Sequence, residues 1–272
     1  MANQRLRAPA TQANTTRNAR AELRRHARWE PARDAVWRLL DAELTSEARV
    51  AILGAGNGDS VPLQRIGSRV RHVALVDLDE TALRTARRRQ SRKVRRRIEL
   101  IGHDVTNGAA DRIATAVAAG QVPTPPHLLE SPLPGAPYDL VIGDLLYSQL
   151  LYPALVDLNV PAKRRDAVIS RYAPMLTRST VGRLHVSTPY GRVLHIHDPI
   201  AWWPGHRQPI SLKDILASAE RDPRRAISLA AQGAGPRHSD PRAALHAFSI
   251  PIRATALWHW QFAPGVDYLA CA

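Results

Sequence analysis

The chain has 272 residues, a formal net charge of +14 and 44% hydrophobic residues, enough for one α/β core with an N-terminal extension. Its single cysteine, Cys271, excludes an intramolecular disulfide framework and a cysteine zinc site. No apolar stretch approaches the roughly 20 residues that span a bilayer, and the N-terminus lacks the apolar core of a secretory signal, so we expect a soluble, cytoplasmic protein.

The positive charge is concentrated in two segments. Residues 1–28 carry seven arginines against one glutamate, and residues 84–97 carry nine basic residues and no acid. Arginine outnumbers lysine 35 to 3, a skew that high-GC genomes produce without selection for phosphate binding. A solvated basic face and an RNA-binding surface are therefore both open for these segments.

The N-terminal part divides into two predicted segments. Residues 1–15 are rich in Ala, Asn, Gln and Thr without an apolar period, which predicts a disordered basic tail. Residues 16–47 show helical spacing with a break at Pro31, and we expect a helical extension or lid there. Trp29 and Trp37 fit either core packing or a lid.

Glycines follow the first predicted strand. Residues 50–53 are a short apolar run typical of a buried parallel strand, and the alternate positions after it are Gly54, Gly56 and Gly58. Glycine combines positive φ angles with a close approach of the backbone to a ligand. A second apolar run, residues 73–76, ends in Asp77, at the edge where open α/β sheets bind ligands. Because its carboxylate can accept two hydrogen bonds from a ribose diol, the pattern predicts a nucleotide-cofactor site.

The remaining chain alternates between predicted helices, over residues 61–66, 109–119, 145–158, 163–176 and 211–219, and predicted strands, over residues 98–101, 138–144, 192–198 and 254–262. A helix from about residue 80 carries the basic run 84–97 away from the cofactor edge, so its later arginines are expected to point away from the chemistry. Residues 199–209 are expected to form a loop on the active face. The last strand, with Trp258, Trp260 and Phe262 on one face, is expected to be antiparallel.

The glycine spacing distinguishes between nucleotide cofactors. A dinucleotide fingerprint requires G-x-G-x-x-G, and Asp59 occupies the position of its third glycine. Alternating G-x-G-x-G with an acidic end to the second strand resembles instead the S-adenosylmethionine site of the class I methyltransferases, over roughly residues 48–200. The resemblance implies a Rossmann-like, doubly wound, three-layer α/β/α fold over residues 48–272, with a mostly parallel seven-stranded sheet and an antiparallel last strand.

The resemblance also implies S-adenosyl-L-methionine as the cofactor. It assigns Asp77 to the ribose and Asp104, at the end of the third strand, to the adenine amino group, while Asp144 ends the fourth strand beside the methyl-transfer site. The expected cofactor-binding residues are Gly54, Ala55, Gly56, Asn57, Gly58, Asp77, Leu78, Asp104, Val105, Asp144 and Leu145.

One position departs from the family pattern. The family commonly has an acidic residue two positions before the first glycine, where it helps to hold the amino-acid end of the cofactor, and this chain has Ile52 there. Asp59 either compensates for that loss or is an N-terminal helix residue favoured by the helix dipole.

In this fold the substrate faces the C-terminal ends of the fourth and fifth strands. Transfer from a sulfonium requires in-line positioning and, for a hydroxyl or amine acceptor, a base. The expected catalytic residues are Asp144, Tyr147 and His197, although Tyr147 alternatively caps a helix. Further candidates are Ser148, Gln149, Asp198, Trp202, Trp203 and His206. His195, His197 and Asp198 have a spacing open to metal binding, but sulfonium chemistry requires no metal and none is expected.

Four functions are compatible with the sequence. Methyl transfer from S-adenosylmethionine to a small-molecule acceptor is the leading hypothesis. The first alternative is an RNA or ribosomal RNA methyltransferase that engages phosphate through residues 1–28 and 84–97. The others are an aminopropyl transferase of the spermidine-synthase type and a non-catalytic nucleotide-binding methyltransferase-like protein, for which Ile52 is the best support.

Overall fold

The computed structural model describes residues 8–19, 24–127, 131–233 and 240–272. Short runs of valine, isoleucine and leucine form the central strands, because branched apolar side chains pack well in a sheet that is covered on both faces. The strands are β1 (Arg49–Leu53), β2 (His72–Asp77), β3 (Ile98–Gly102), β4 (Leu140–Asp144), β5 (Arg192–Trp202), β6 (Leu257–Ala263) and β7 (Val266–Cys271).

Helices connect the strands and cover the sheet. They are α1 (Pro9–Ala19), α2 (Arg25–Arg28), α3 (Glu30–Leu40), α4 (Leu63–Arg69), α5 (Glu80–Arg88), α6 (Arg92–Arg95), α7 (Ala109–Ala118), α8 (Tyr152–Asp157), α9 (Ala162–Val186), α10 (Leu212–Arg221), α11 (Pro223–Ala230) and α12 (Arg242–Ala247), with a 3-10 turn at Tyr147–Gln149. Side-chain caps satisfy the first backbone N–H groups of several helices, as Asp79 does for α5 and Asp222 for α11.

The strand order is β3-β2-β1-β4-β5-β7-β6. Strands β1 to β5 are parallel, with Ile52 in register between Leu75 of β2 and Ile142 of β4, whereas β7 is antiparallel to both β5 and β6. The order reverses between β1 and β4, so the carboxyl ends of these strands form a topological switch point. The predicted seven-stranded, mostly parallel sheet with an antiparallel last strand is confirmed.

Two apolar layers enclose the sheet. On one face α7, α8, α9 and α12 pack over side chains such as Ala51 and Val141. On the other face α3, α4 and α5 pack over Ile52 and Ile142, and the same core includes Trp258 and Trp260. The three-layer α/β/α arrangement follows from this division.

The N-terminal segment differs from the prediction. Residues 1–15 were expected to be disordered, but residues 9–15 belong to helix α1. Tertiary contacts stabilise this helix, because Arg17 donates to both carboxylate oxygens of Asp157, at 2.9 and 3.1 Å. Residues 1–7 of the predicted tail lie outside the described residues.

The fifth strand is longer than predicted. Residues 199–202 were expected to begin a loop, but β5 continues to Trp202 because β7 pairs with it, placing Ile200 opposite Leu269 and Trp202 opposite Asp267. An irregularity in this pairing lies between His197 and Ile200. The extension changes the surroundings of His197, which lies inside the strand instead of at its end.

The predicted final strand is a hairpin. A single strand over residues 254–262 was expected, but β6 turns at Gly265, with a φ of 71°, into β7, and β7 is the strand that pairs with β5. Trp258 and Trp260 do share a buried face, at 9% and 6% exposure, whereas Phe262 is more open, at 38%.

Three helix predictions also need correction. Over residues 145–158 the chain forms a loop, the 3-10 turn and the short α8 instead of one helix. The helix expected to end at residue 176 continues as α9 to Val186, with Pro174 inside it. The basic helix stops at Arg88 and restarts as α6.

Among the described residues, no helix is both long and apolar enough to cross a membrane.

Candidate functional site

The turn after β1, residues 54–58, is built from glycines in the left-handed region. Gly54, Gly56 and Gly58 have φ values of 74°, 46° and 70°, which side chains other than glycine rarely adopt. A Cβ on Gly54 would lie 2.9 Å from the backbone oxygen of Asp144. The turn therefore packs directly on the end of β4, at the switch point of the sheet.

Asp77 joins this turn to the end of β2. Its Oδ2 accepts from the Gly56 N–H at 2.9 Å, and its Oδ1 accepts from the Asp79 N–H at 2.9 Å. Burial raises the pKa of Asp77, and the hydrogen bonds from these two N–H groups oppose that rise. Each carboxylate oxygen has a second lone-pair site, so Asp77 can still accept from a ligand diol.

Helix α1 covers the glycine turn. The Asn18 Oδ1 lies 3.2 Å from the position of a Cβ on Gly56, and the Asn18 Nδ2 donates to Asp79 Oδ2 at 3.1 Å. Asn57 Nδ2 donates to the Asn18 backbone oxygen at 3.0 Å. Asn18 is thus a site residue that sequence reasoning missed, because nothing in its local pattern marks it.

The tryptophans of the N-terminal extension pack in the core. Trp29 is 6% exposed, donates from Nε1 to the Phe262 backbone oxygen at 3.1 Å and contacts the Trp260 ring at a centroid distance of 4.8 Å. Trp37 is partly buried against the same apolar cluster. Of the two uses considered for these side chains, the structure favours core packing.

Asp104 caps its own turn. Its Oδ1 accepts from the Thr106 N–H and hydroxyl at 2.7 and 2.8 Å, and its Oδ2 accepts from the Gly108 N–H at 2.5 Å. The backbone oxygen of the next residue, Val105, accepts a hydrogen bond from Nη1 of the buried Arg183 at 2.8 Å. These bonds fix the loop after β3, and the adenine-binding role of Asp104 and Val105 stays a prediction.

Asp59 is the centre of an ion-pair cluster. It is 3% exposed, and its Oδ2 accepts from Arg25 Nε and Nη2 at 2.9 and 2.7 Å. Its Oδ1 accepts from Arg89 Nη1 at 2.6 Å, and its backbone oxygen accepts from Arg33 at 2.8 Å. Helix α4 begins only at Leu63, so Asp59 is not a first-turn helix residue, and its carboxylate is already used by arginines.

Arg89 corrects the prediction for the basic run. The later arginines of residues 84–97 were expected to point away from the chemistry, but Arg89 follows the end of α5 and reaches back to Asp59 beside the glycine turn. The exposed arginines of the run line a shallow surface groove with Leu100; they are Arg84, Arg87, Arg88, Arg92, Arg95 and Arg96. RNA binding by residues 1–28 and 84–97 stays a prediction.

Asp144 is enclosed where β4 meets the glycine turn. It is 3% exposed, its Oδ2 accepts from the Ser60 hydroxyl, and its Oδ1 has no partner within the described part of the chain. Burial, with the nearby charge of Asp77, raises the pKa of Asp144 to about 7 against the opposing Ser60 bond. Leu145, which follows it, has a φ of 51°. Positive φ values at residues other than glycine are strained, and they occur often at active sites and ligand clamps.

Tyr147 lies in the apolar core and not at the glycine turn. It is 1% exposed, and its hydroxyl is 2.5 Å from His195 Nδ1. His195 Nε2 is in turn 3.1 Å from His185 Nε2 of α9. Burial, with the charges of His185 and His197, lowers the pKa of His195 to about 3. The structure therefore does not bring Tyr147, expected to be catalytic, to the glycine turn.

His197 and Asp198 are neighbours in β5 with separate surroundings. Burial lowers the pKa of His197 to about 4, against the nearby charge of Asp240, and its Nδ1 lacks a partner in the described chain. Asp198 is 4% exposed, and its Oδ2 accepts from the Ser148 hydroxyl at 3.1 Å. Burial raises the pKa of Asp198 to about 7. The two side chains have different neighbours, Asp240 for His197 and Ser148 for Asp198.

The other candidates fall into two groups. Gln149 Nε2 donates to Ser148 Oγ at 3.1 Å, which places both beside Asp198. Trp203 and His206 stack on each other with centroids 4.0 Å apart, in the loop after β5. Across the described ranges, no three His, Cys, Asp or Glu side chains group closely enough to hold a metal ion.

Similar solved structures share the architecture at low identity. A SAM-dependent methyltransferase from Leishmania major is 12% identical with a TM-score of 0.47, covering 97% of this chain and 81% of that one. A SAM dependent methyltransferase from Aquifex aeolicus is 12% identical with a TM-score of 0.42, covering 96% and 97%. A precorrin 8w decarboxylase from Methanobacterium thermoautotrophicum is 12% identical with a TM-score of 0.35, covering 89% and 90%.

No protein-family model and no curated protein matches the sequence. Identities of 12% and TM-scores below 0.5 carry no conclusion about the reaction. The chain's own sheet order and glycine turn are those of a Rossmann-like, doubly wound α/β fold.

Replacing Asp59 tests the ion-pair cluster. Asp59→Asn leaves Arg25 and Arg89 without their buried counter-charge, so we expect a loss of about 3 to 5 kcal/mol in the free energy of unfolding. Asp41→Asn is the matched control, because its pair with Arg69 is 3.5 Å long with both side chains 52% exposed, and we expect a loss below about 1 kcal/mol. Urea unfolding measures both, and equal losses would contradict the cluster's role.

Burial of Asp144 predicts a pH-dependent stability. Its folded pKa of about 7 is above an unfolded value of about 3.9, so between these values the folded state binds more protons and stability falls as pH rises. Asp144→Asn has no such proton to lose. As the pH rises from 5 to 8, the free energy of unfolding of Asp144→Asn should therefore increase relative to that of the wild type, by on the order of a few kcal/mol. The exposed Asp166→Asn should show no such gain, and parallel curves for wild type and Asp144→Asn would contradict the burial effect.

Proposed function

We propose that the chain binds S-adenosyl-L-methionine at the glycine turn and catalyses transfer of its methyl group to a small-molecule acceptor. The observation that carries the proposal is the bond between Asp77 and the Gly56 N–H. It joins a left-handed glycine turn to an acidic strand end at the switch point of the sheet, where nucleotide ligands bind. The remaining acceptor sites of Asp77 suit a ribose diol.

The position of Asp59 favours an adenosyl cofactor over a dinucleotide. A pyrophosphate needs free backbone N–H groups at a helix N-terminus and a third glycine for close packing. Here the third glycine position holds a buried carboxylate, and α4 begins four residues later. The third glycine that a pyrophosphate site requires for close packing is therefore absent.

Asp144 supports the proposal as the residue that takes the place of the missing family acid. Ile52 is fully buried between β2 and β4, so the position is part of the apolar core. The backbone oxygen of Asp144 lies against Gly54, and its carboxylate accepts from Ser60, just after the turn, and has an unpartnered Oδ1. A buried carboxylate favours a cationic partner, and the α-ammonium group of the cofactor is one.

The bound cofactor supplies a methyl group on a positively charged sulfur, already activated for transfer. The residues of this chain then need to orient it and exclude water. Asn18 of α1 and Asn57 cover the turn, and Asp144 gives the enclosed edge a negative charge that favours a sulfonium.

A second candidate, aminopropyl transfer, is favoured by Asp198. Enzymes of this type act on amines and need acidic residues to hold them, and Asp198 adds a second buried carboxylate to Asp144. The two reactions use related nucleotides that differ in the cofactor carboxylate, so ligand preference separates them.

Calorimetric titration tests the cofactor directly. We expect S-adenosylmethionine and S-adenosylhomocysteine to bind, and Asp77→Ala to raise their dissociation constants by at least about tenfold, because a charged hydrogen bond contributes about 1.5 to 3 kcal/mol. Asp166→Ala, at an exposed position, is the control and should bind as the wild type does. Binding of decarboxylated S-adenosylmethionine alone would favour aminopropyl transfer, and binding of NAD alone or of no nucleotide would overturn the proposal.

A further inference from the structure

Within the described part of a chain with a net charge of +14, two buried carboxylates have neither a basic partner nor a hydrogen bond to every oxygen. Elsewhere arginines pair with enclosed acids, as Arg25 and Arg89 do with Asp59 and Arg242 does with Asp240. Asp144 and Asp198 are different, because each accepts from a serine hydroxyl, has no arginine partner among the described side chains and keeps an unpartnered Oδ1. A buried charge of this kind is costly unless a partner arrives from outside the chain.

The two carboxylates lie on the same side of the sheet. Asp144 is in register with Ile196, and Asp198 is two residues further along β5. In the β5–β7 pairing His197 lies opposite Cys271 and Ile200 lies opposite Leu269, which places Asp198 opposite Ala270. Ala270 packs in the same core as Ile196 and Trp260. Asp198 therefore lies further along the sheet than Asp144, on the side toward β7.

An aromatic cluster lies on this face. Trp260 contacts Trp29, Phe262 and Tyr268 with ring centroids 4.8, 5.2 and 5.4 Å apart. Tyr268 of β7 lies opposite Ala201 of β5, three residues beyond Asp198. Burial raises the pKa of Tyr268 to about 12, and the negative charge of Asp198 adds to the rise. Aromatic ring faces attract cations, and they also offer apolar surface.

We propose that the methyl acceptor is a cationic amine whose ammonium group binds to Asp198, with its apolar part against Phe262 and Tyr268, the partly exposed members of the aromatic cluster. This inference rests on the proposed function and names its substrate class. Anionic acceptors, including the phosphates of RNA, are disfavoured because Asp144 and Asp198 would repel them. A neutral acceptor would leave the Asp198 charge buried without compensation.

The carboxylate of Asp198 can also accept the proton that the ammonium group must lose. An ammonium nitrogen has no free lone pair, so the acceptor must first lose a proton, and Asp198 Oδ1 is positioned to receive it. An ammonium ion and a methyl sulfonium then yield a methylammonium ion, a thioether and one proton, which Asp198 releases to water. The pKa of Asp198, about 7, suits a base near neutral pH.

Matched probes test the inference by binding, without turnover. Benzylamine, benzyl alcohol and benzoate are titrated into the full chain, alone and with S-adenosylhomocysteine, and tryptophan fluorescence is followed because Trp29 and Trp260 lie beside the proposed site. We expect the amine to bind at least about tenfold more tightly than the alcohol and the carboxylate not to bind. Because Asp198 must be ionised, amine binding should be about tenfold weaker at pH 6 than at pH 8.

Asp198→Asn keeps the shape of the side chain and removes the charge. The substitution should weaken binding of the amine by about tenfold or more and leave binding of the alcohol unchanged. The exposed Asp166→Asn should change the binding of neither probe. Mass spectrometry with S-adenosylmethionine then identifies which probe is methylated. Equal binding of amine and alcohol to the wild type, preferred methylation of the alcohol or carboxylate, or full amine binding by Asp198→Asn would overturn the inference.

The outcomes separate this inference from the proposed function. If S-adenosylhomocysteine binds and the amine does not, the acceptor class is wrong and the cofactor site stands. If S-adenosylhomocysteine does not bind, the proposed function fails, and the inference that depends on it is overturned with it.

Discussion

The contact between the glycine turn and the end of β4 is the constraint on which the site depends. A side chain at Gly54 would collide with the Asp144 backbone oxygen, so three strand ends approach each other only because the turn has no Cβ there. Asp77 fixes the turn from the β2 side through the Gly56 N–H. The same approach encloses Asp144 and gives it an acidity unlike that of a surface aspartate.

The buried aspartates of this protein differ in whether an arginine pairs with them. Asp59 satisfies arginines from both basic segments, and in doing so fixes residues around the glycine turn. Within the described residues, Asp144 and Asp198 have no arginine partner. The net charge of the chain therefore says little about its ligand, since the enclosed active edge is negative while much of the surface is positive.

The sequence predicts those parts of the site that depend on local rules. Glycine spacing, apolar runs and acidic strand ends identified the turn, Asp77 and Asp144, because each follows from backbone conformation or strand periodicity. Helix α1, the reach of Arg89 to Asp59 and the extension of β5 were missed, because they depend on pairing with distant segments such as β7 and Asp157. The burial of Tyr147 beside His195 was missed for the same reason, because the two residues are distant in the sequence, and the catalytic role of Tyr147 stays a prediction.

A crystal structure of the chain with S-adenosylhomocysteine tests the central claim most directly. The account predicts both ribose hydroxyls within hydrogen-bond distance of the Asp77 carboxylate and the α-ammonium group within hydrogen-bond distance of Asp144 Oδ1. A nucleoside bound away from the glycine turn, or bound there with its ribose out of reach of Asp77, would contradict it.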